Sequence, residues 1–152
     1  PLPWRPGLRR AAEVGGVATR ILDVPFIYLD KNYIRMFGGL SGALRAVAAL
    51  PGEKVIQLRG EWGEITGEAE EAVSNGAAVL MVDTGRVEDV ARVASRLREL
   101  GRRQQVRLAF SGGITAGDLP VIAELDVDII DVGRAVLDAP LVDLRFEVRG
   151  PA

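Results

Sequence analysis

Neither cysteine nor histidine occurs anywhere in the 152 residues. Without cysteine there is no disulfide framework and no thiolate nucleophile, which fits a reducing compartment. Without histidine the chain lacks the commonest general base and the commonest transition-metal ligand. Any catalysis must rest on carboxylates, Lys31, Lys54, arginines, hydroxyls or tyrosine. No run approaches the roughly eighteen apolar residues of a membrane span, and the N-terminus lacks the charged and apolar regions of a signal peptide. Lysine-rich tails are missing too. With 19 basic against 21 acidic residues, net charge −2, the chain has no electrostatic footprint for nucleic acid. The local basic pairs Arg9-Arg10 and Arg102-Arg103 read as solvated helix ends. The expectation is a cytoplasmic protein with no nucleic-acid and no membrane partner. Its first residue is Pro1 rather than methionine, so it is expected to be processed or cut from something longer.

The composition that remains, 48% apolar and 26% charged, is that of a globular domain able to bury a core. No repeat, low-complexity tract or linker divides it, and residues 1–152 read as one domain. A helix is predicted from Pro6 to Val14, ended by Gly15-Gly16, with Val17 to Leu22 extended. Short apolar runs predict strands at Val24 to Leu29, Val55 to Leu58, Ala77 to Val82, Val106 to Phe110 and Val127 to Val132. Helical spacing fills the gaps at Leu40 to Leu50, Glu64 to Ser74, Val87 to Leu100 and 116–125. In the third of these, Val90, Val93, Ala94 and Leu97 face inward. Alternation over Leu141 to Val148 predicts a closing strand. Alternating strands and helices imply five or six βα units in parallel order, fewer than the eight of a full barrel.

Chemistry is expected at the carboxyl ends of the strands, where α/β proteins place it. The chain there presents Asp30-Lys31-Asn32-Tyr33, then Asp83-Thr84-Gly85, then Ser111-Gly112-Gly113-Ile114-Thr115 and finally Val132-Gly133-Arg134. Glycine at such junctions permits positive φ and brings backbone N–H groups close to a ligand. Thr115 or Ser111 is placed to cap the helix that follows, and paired glycine turns on adjacent parallel strands make a phosphate site. Asp83 is either a ligand-binding carboxylate or the cap of the next helix. Asp131 lies on the face opposite Ile130, solvated or turned to the helices.

The order of these motifs resembles the carboxyl-terminal barrel domain of quinolinate phosphoribosyltransferase, the nicotinate-nucleotide pyrophosphorylase family. Arg5-Pro6-Gly7-Leu8-Arg9 resembles that family's Thr-x-Pro-Gly-Leu-Arg segment, and Gly15-Gly16 with Arg20 its glycine-rich stretch ending in His-Arg. Leu29 to Ile34 resembles Ile-Lys-Asp-Asn-His-Ile, and Leu80-Met81-Val82-Asp83 resembles Met-Leu-Asp-Asn. Ser111 to Ile114 and Val127 to Gly133 resemble the phosphate elements. The resemblance implies an incomplete α/β barrel of about six mostly parallel strands, TIM-like and built into a dimer. It also implies a separate amino-terminal domain, absent here, that covers the partner's barrel mouth. The reaction it implies condenses quinolinate with phosphoribosyl pyrophosphate, uses magnesium and ends in decarboxylation to nicotinate mononucleotide.

The departures from the family fall on its chemistry. Arg-Lys-Thr becomes Leu2-Pro3-Trp4, His-Arg becomes Thr19-Arg20, and Lys-Asp-Asn-His becomes Asp30-Lys31-Asn32-Tyr33. The glutamates of the next strand fall within Val55 to Arg59, where no carboxylate stands, and the glutamate before Ser-Gly-Gly falls on Ala109. Asp83 alone is left of the acidic set. The resemblance therefore implies phosphate binding by Ser111, Gly112, Gly113, Gly133 and Arg134. It places Arg20 and Asn32 at the other end of the ligand, Lys31 and Asp83 in catalytic positions, and Mg2+ on Asp83 together with substrate phosphates.

The expected function is a diverged phosphoribosyltransferase-type domain that binds a phosphorylated small molecule without full quinolinate phosphoribosyltransferase activity on its own. It would act as a homo-oligomer, dimer or higher, or with a partner subunit supplying the missing domain. The alternative is a non-catalytic barrel kept for assembly, with Trp4, Trp62 and Tyr33 as interface anchors. A weaker third reading is an unrelated barrel sharing only the phosphate grip.

Overall fold

The structure, a computed structural model, describes residues 5–133. Five strands form one parallel sheet in the order β1-β2-β3-β4-β5, so each strand pairs with its sequence neighbours. They are β1 (Phe26–Leu29), β2 (Glu53–Leu58), β3 (Val79–Asp83), β4 (Arg107–Ser111) and the short β5 (Ile129–Ile130). A sheet that advances one strand at a time, always parallel, carries its crossover helices on one face. That is the arc of a barrel rather than a doubly wound sheet. The expected closing strand at Leu141 to Val148 lies outside the described residues.

Alternation along the strands sorts side chains between two cores. On the outer face Leu29, Ile56, Leu58, Leu80, Val82, Leu108 and Phe110 meet the helices. After an opening helix α1 (Arg5–Val14), as expected, these are α2 (Lys31–Met36), α3 (Leu40–Val47), α4 (Ile65–Ser74), α5 (Val87–Glu99) and α6 (Leu119–Ile122). On the inner face a smaller cluster joins Val55, Val79, Met81 and Ala109 to Leu22, with Ile21, Phe26 and Ile129 packed at its margin. Leu22 explains why Val17 to Leu22 forms no strand. It leaves the sheet plane and covers the inner face as a loop.

The helices form for identifiable reasons. In α5, Val90, Val93, Ala94 and Leu97 are buried at helical spacing, as expected. Glu88 and Asp89 sit in its first turn and Arg96 and Arg98 in its last, matching the helix dipole. Asp30 caps α2, accepting from the backbone N–H of Asn32 (2.8 Å) and Tyr33 (3.0 Å). The helix expected over 116–125 is smaller: a 3-10 turn at Ala116–Asp118 and then α6. Pro120 has no N–H to give the Ala116 carbonyl, so the first turn tightens to Asp118 N to Thr115 O. Thr115 does cap this turn, in a reciprocal capping box with Asp118.

Two loops meet backbone to backbone at the carboxyl end. The Gly85 N–H donates to the Ser111 carbonyl at 3.0 Å. A Cβ on Gly112 would lie 2.8 Å from Gly85 Cα and 2.9 Å from the Thr84 carbonyl carbon, and Gly112 has φ +113°. Only glycine fits both demands.

Candidate active site

The inner face changes character at the carboxyl ends of the strands, where it becomes polar. Tyr28, Gln57, Asp83 and Ser111 end this face on β1 to β4, Arg59 follows β2, and Asp131 follows β5. Asp83 and Ser111 are register partners.

Asp83 is the hub. Arg59 Nη1 donates to its Oδ2 at 2.5 Å, and Gln57 Nε2 donates to the same oxygen. Gln57 Oε1 in turn accepts from the backbone N–H of Lys31 at 2.8 Å, tying α2 to the row. Arg59 also approaches Glu61, Nε to Oε1 at 3.3 Å, and Arg35 grips Glu61 Oε2 through Nε and Nη2 at 3.1 and 2.7 Å. The hydrogen bonds from Arg35 hold the Glu61 carboxyl below its ordinary range. On the other side of the mouth, Ser111 Oγ donates to Asp131 at 3.2 Å.

The loop after β2 that carries this network is fixed from below. Glu68, 3% exposed on α4, accepts from the backbone N–H groups of Arg59 (3.0 Å), Gly60 (2.9 Å) and Trp62 (2.8 Å). Three donors on one buried carboxylate satisfy it fully and hold the loop in one course. A shallow cleft follows from this course, lined by Lys31, Ile34, Leu40, Gln57, Arg59 and Trp62 among others.

Tyr28 stands in the field of these carboxylates. Its hydroxyl is pushed up to about 12, first by partial burial and then by the negative charges of Asp83, Asp131 and Asp30, with Arg59 pulling the other way. It is therefore a neutral donor at physiological pH. Asp30 is shifted in the opposite sense, below its ordinary value, chiefly by the Tyr33 backbone N–H it accepts.

The residues expected from the sequence are only partly brought together. Asp83 and Lys31 belong to the mouth. Asp83 does not cap α5, whose N-cap is Arg86. The Asn32 amide turns back on Asp30 at 3.3 Å. Arg20 lies over the Phe26 ring, 5.6 Å from its centroid, two residues before Tyr28 on β1. Ser111 is engaged with Asp131, Gly112 serves the crossing with Gly85, Gly113 has φ +78°, and Gly133 is exposed. Arg134 and Trp4 lie outside the described residues. Asp131 faces the mouth rather than the helices. Tyr28, Gln57 and Arg59 were not singled out from the sequence, although strand alternation set two residues apart puts Gln57 and Arg59 on one face.

Among the described residues the donor set at the mouth does not fit a dedicated magnesium site. Among the described residues no three Asp or Glu side chains gather where they could share an ion. Oδ2 of Asp83 already receives a guanidinium and an amide.

The sequence profile described as quinolinate phosphoribosyl transferase, C-terminal domain, matches residues 4–147. The chain belongs to this family. A probable nicotinate-nucleotide pyrophosphorylase (carboxylating) of Archaeoglobus fulgidus is 31% identical over 148 residues, covering 94% of this chain and 55% of that protein. The Homo sapiens nicotinate-nucleotide pyrophosphorylase (carboxylating) is 27% identical over 136 residues, covering 89% of this chain and 44% of that protein. Among solved structures, NadC from Streptococcus pyogenes superposes with a TM-score of 0.70 and a NadC deletion mutant with 0.72. Both are 22% identical, the match covering 89% of this chain and 45% and 46% of theirs, which establishes the incomplete α/β barrel fold. The chain spans about half the length of the relatives it matches. As a domain of this family it is of phosphoribosyltransferase type. Among the described residues no helix is long and apolar enough to cross a membrane.

Proposed function

We propose that the chain binds a phosphorylated ligand, such as phosphoribosyl pyrophosphate or a nucleotide, at the carboxyl end of its sheet. On its own it does not condense quinolinate at a useful rate. The observation that carries the reading is the mouth row itself, in which Arg59, Asp83, Gln57 and Lys31 are linked in one network at the place where a parallel α/β sheet binds ligands.

In this reading Arg59 and Lys31 meet phosphate, the free side of Asp83 accepts ribose hydroxyls, and the Gly113 and Gly133 loops allow close approach. Arg20 and Asn32 serve the far end of the ligand. Activity on a dicarboxylate is opposed by Ala109, buried on the inner face where the resemblance expects a glutamate, and by Gln57 and Arg59 in the strand where it expects two more. Residues 1–152 act as one barrel domain, completed by a second copy or by a partner subunit.

Calorimetric titration of the purified chain with phosphoribosyl pyrophosphate and Mg2+ tests the reading, with Gly133→Asp as control. Among the described residues a Cβ at Gly133 meets nothing within 4 Å, so the position accepts a side chain that brings a negative charge. Binding that the control abolishes supports a phosphate site. Silence at millimolar ligand rejects it.

A second reading, a barrel kept for assembly, is favoured by one observation. Tyr33, Met36, Phe37 and Trp62 are all exposed on α2 and the neighbouring loops. A stable oligomer with no ligand response would support it.

A further inference from the structure

The misfit between this mouth and a magnesium site has a positive side, because the place where metal-binding carboxylates would be needed is taken by a guanidinium. We propose that Arg59 does the work of the divalent cation, so that the site holds its phosphorylated ligand without Mg2+. The inference rests on the phosphorylated-ligand reading above and adds what neutralises that ligand's charge.

Several independent features converge on Arg59. Its backbone is pinned by buried Glu68, which also holds Gly60 and Trp62, so the side chain starts from a fixed point. Its guanidinium is oriented by two carboxylates, through Nη1 on Asp83 and Nε on Glu61. Nη2 makes no hydrogen bond to any described residue, and the side chain is 36% exposed. The two N–H groups of Nη2, between the two engaged donors, are thus left without a described partner on a side chain that solvent reaches. Asp83 is the closer counter-charge of Arg59, at 2.5 Å, while Glu61, 3.3 Å away, is shared with Arg35 at 2.7 Å.

The neighbouring groups disfavour a metal for the same reasons. Mg2+ requires oxygen donors in near-octahedral array. Gln57 turns its amide N–H, not its oxygen, to Asp83, and its oxygen is held by the Lys31 N–H. To reach Asp83 Oδ2 a metal ion would have to expel both donors and then sit beside the Arg59 charge, which repels it. A phosphate group has the opposite needs. Its oxygens accept from the Nη2 N–H groups of Arg59 in a charge-assisted hydrogen bond. Asp83, held by Arg59, keeps its second oxygen for a neighbouring hydroxyl. The ligand class is therefore a phosphate or pyrophosphate ester of a polyol, taken without a metal partner.

Titrations of the full chain with inorganic pyrophosphate and with phosphoribosyl pyrophosphate, each in excess EDTA and in excess MgCl2, test this. The expected affinities in the two buffers agree to within about twofold, and Arg59→Gln weakens binding in EDTA by about tenfold or more. A second measurement follows Mn2+ by water-proton relaxation. The wild-type chain leaves the relaxation close to that of free Mn2+, and the double substitution Gln57→Glu with Arg59→Glu creates a binding signal by surrounding Asp83 with carboxylates. Binding about tenfold tighter in MgCl2 than in EDTA would overturn the inference while leaving the phosphate reading standing. So would an Arg59→Gln chain that binds as the wild type does. Absence of binding in both buffers would overturn the two together and leave the assembly reading.

Discussion

The sheet has an arginine at each end, and the two are used differently. At the amino end Arg103 has a side chain only 7% exposed, with Nη2 on Asp126 and Asp128 at 2.9 Å each and Nη1 on the Val106 carbonyl at 3.2 Å. Asp128 also accepts from the backbone N–H of Leu108 at 2.7 Å, so the cluster joins the starts of β4 and β5. At the carboxyl end Arg59 is five times more exposed and makes its contacts with side chains rather than backbone. A buried cation that satisfies backbone groups is part of the frame. An open one held by other side chains is available to a ligand, because solvent already screens it and little folding energy depends on it.

The largest effect is expected where side chains play no part. Gly112→Val puts bulk against Gly85 and Thr84 at a φ that disfavours it, and should cost about 3 kcal/mol or more, seen as a lowered midpoint in urea unfolding. A midpoint like the wild type's would mean that the loops can part freely, and the mouth would lose its rigid rim. Next comes Arg103→Met, which unpairs two partly solvated carboxylates and should cost about 2 kcal/mol, or roughly 5 °C in Tm. Asp128→Asn in the same chain should recover part of that, since its amide oxygen still accepts from Leu108.

Arg59→Gln should cost under about 1 kcal/mol, because the pair it breaks is solvent-screened. A loss as large as that of Arg103→Met would erase the contrast and make the mouth pair structural. The smallest effect at neutral pH concerns Tyr28. Ultraviolet titration of the wild type minus Tyr28→Phe should give a phenolate midpoint near 12, and Asp83→Asn should bring it back toward 10. The folded chain holds this proton more tightly than the unfolded one. The linked stability is therefore complete below pH 10, falls as pH rises toward 12, and is absent in Tyr28→Phe.

The strand order was legible because each strand is a short apolar run bounded by turn residues, and so was α5 with its four inward positions. Helix α2 was not. Only Ile34 of its residues is buried, so it carries no repeat, and its existence depends on the Asp30 cap. The helix over 116–125 was overstated because the apolar residues outweighed Pro120. At the site, Asp83 and Lys31 were found from their positions after strands. Gln57 and Arg59 were not, and Asp131 was set opposite Ile130 without its place at the mouth, because alternation tells which residues share a face but not which face is enclosed. That depends on Leu22 and on the helices all lying on one side. Ser111 shows the same limit in reverse: its place was legible, its partner Asp131 was not.

The Gly85 and Gly112 crossing bears on how such a domain can change its trade. The spacing between its third and fourth loops is set by peptide groups in contact, so it depends on residues that carry no chemistry at all. Exchanging a carboxylate for an amide or a guanidinium at positions 57 and 59 leaves that spacing alone. The scaffold can thus outlast one set of reactive groups and receive another without being refolded.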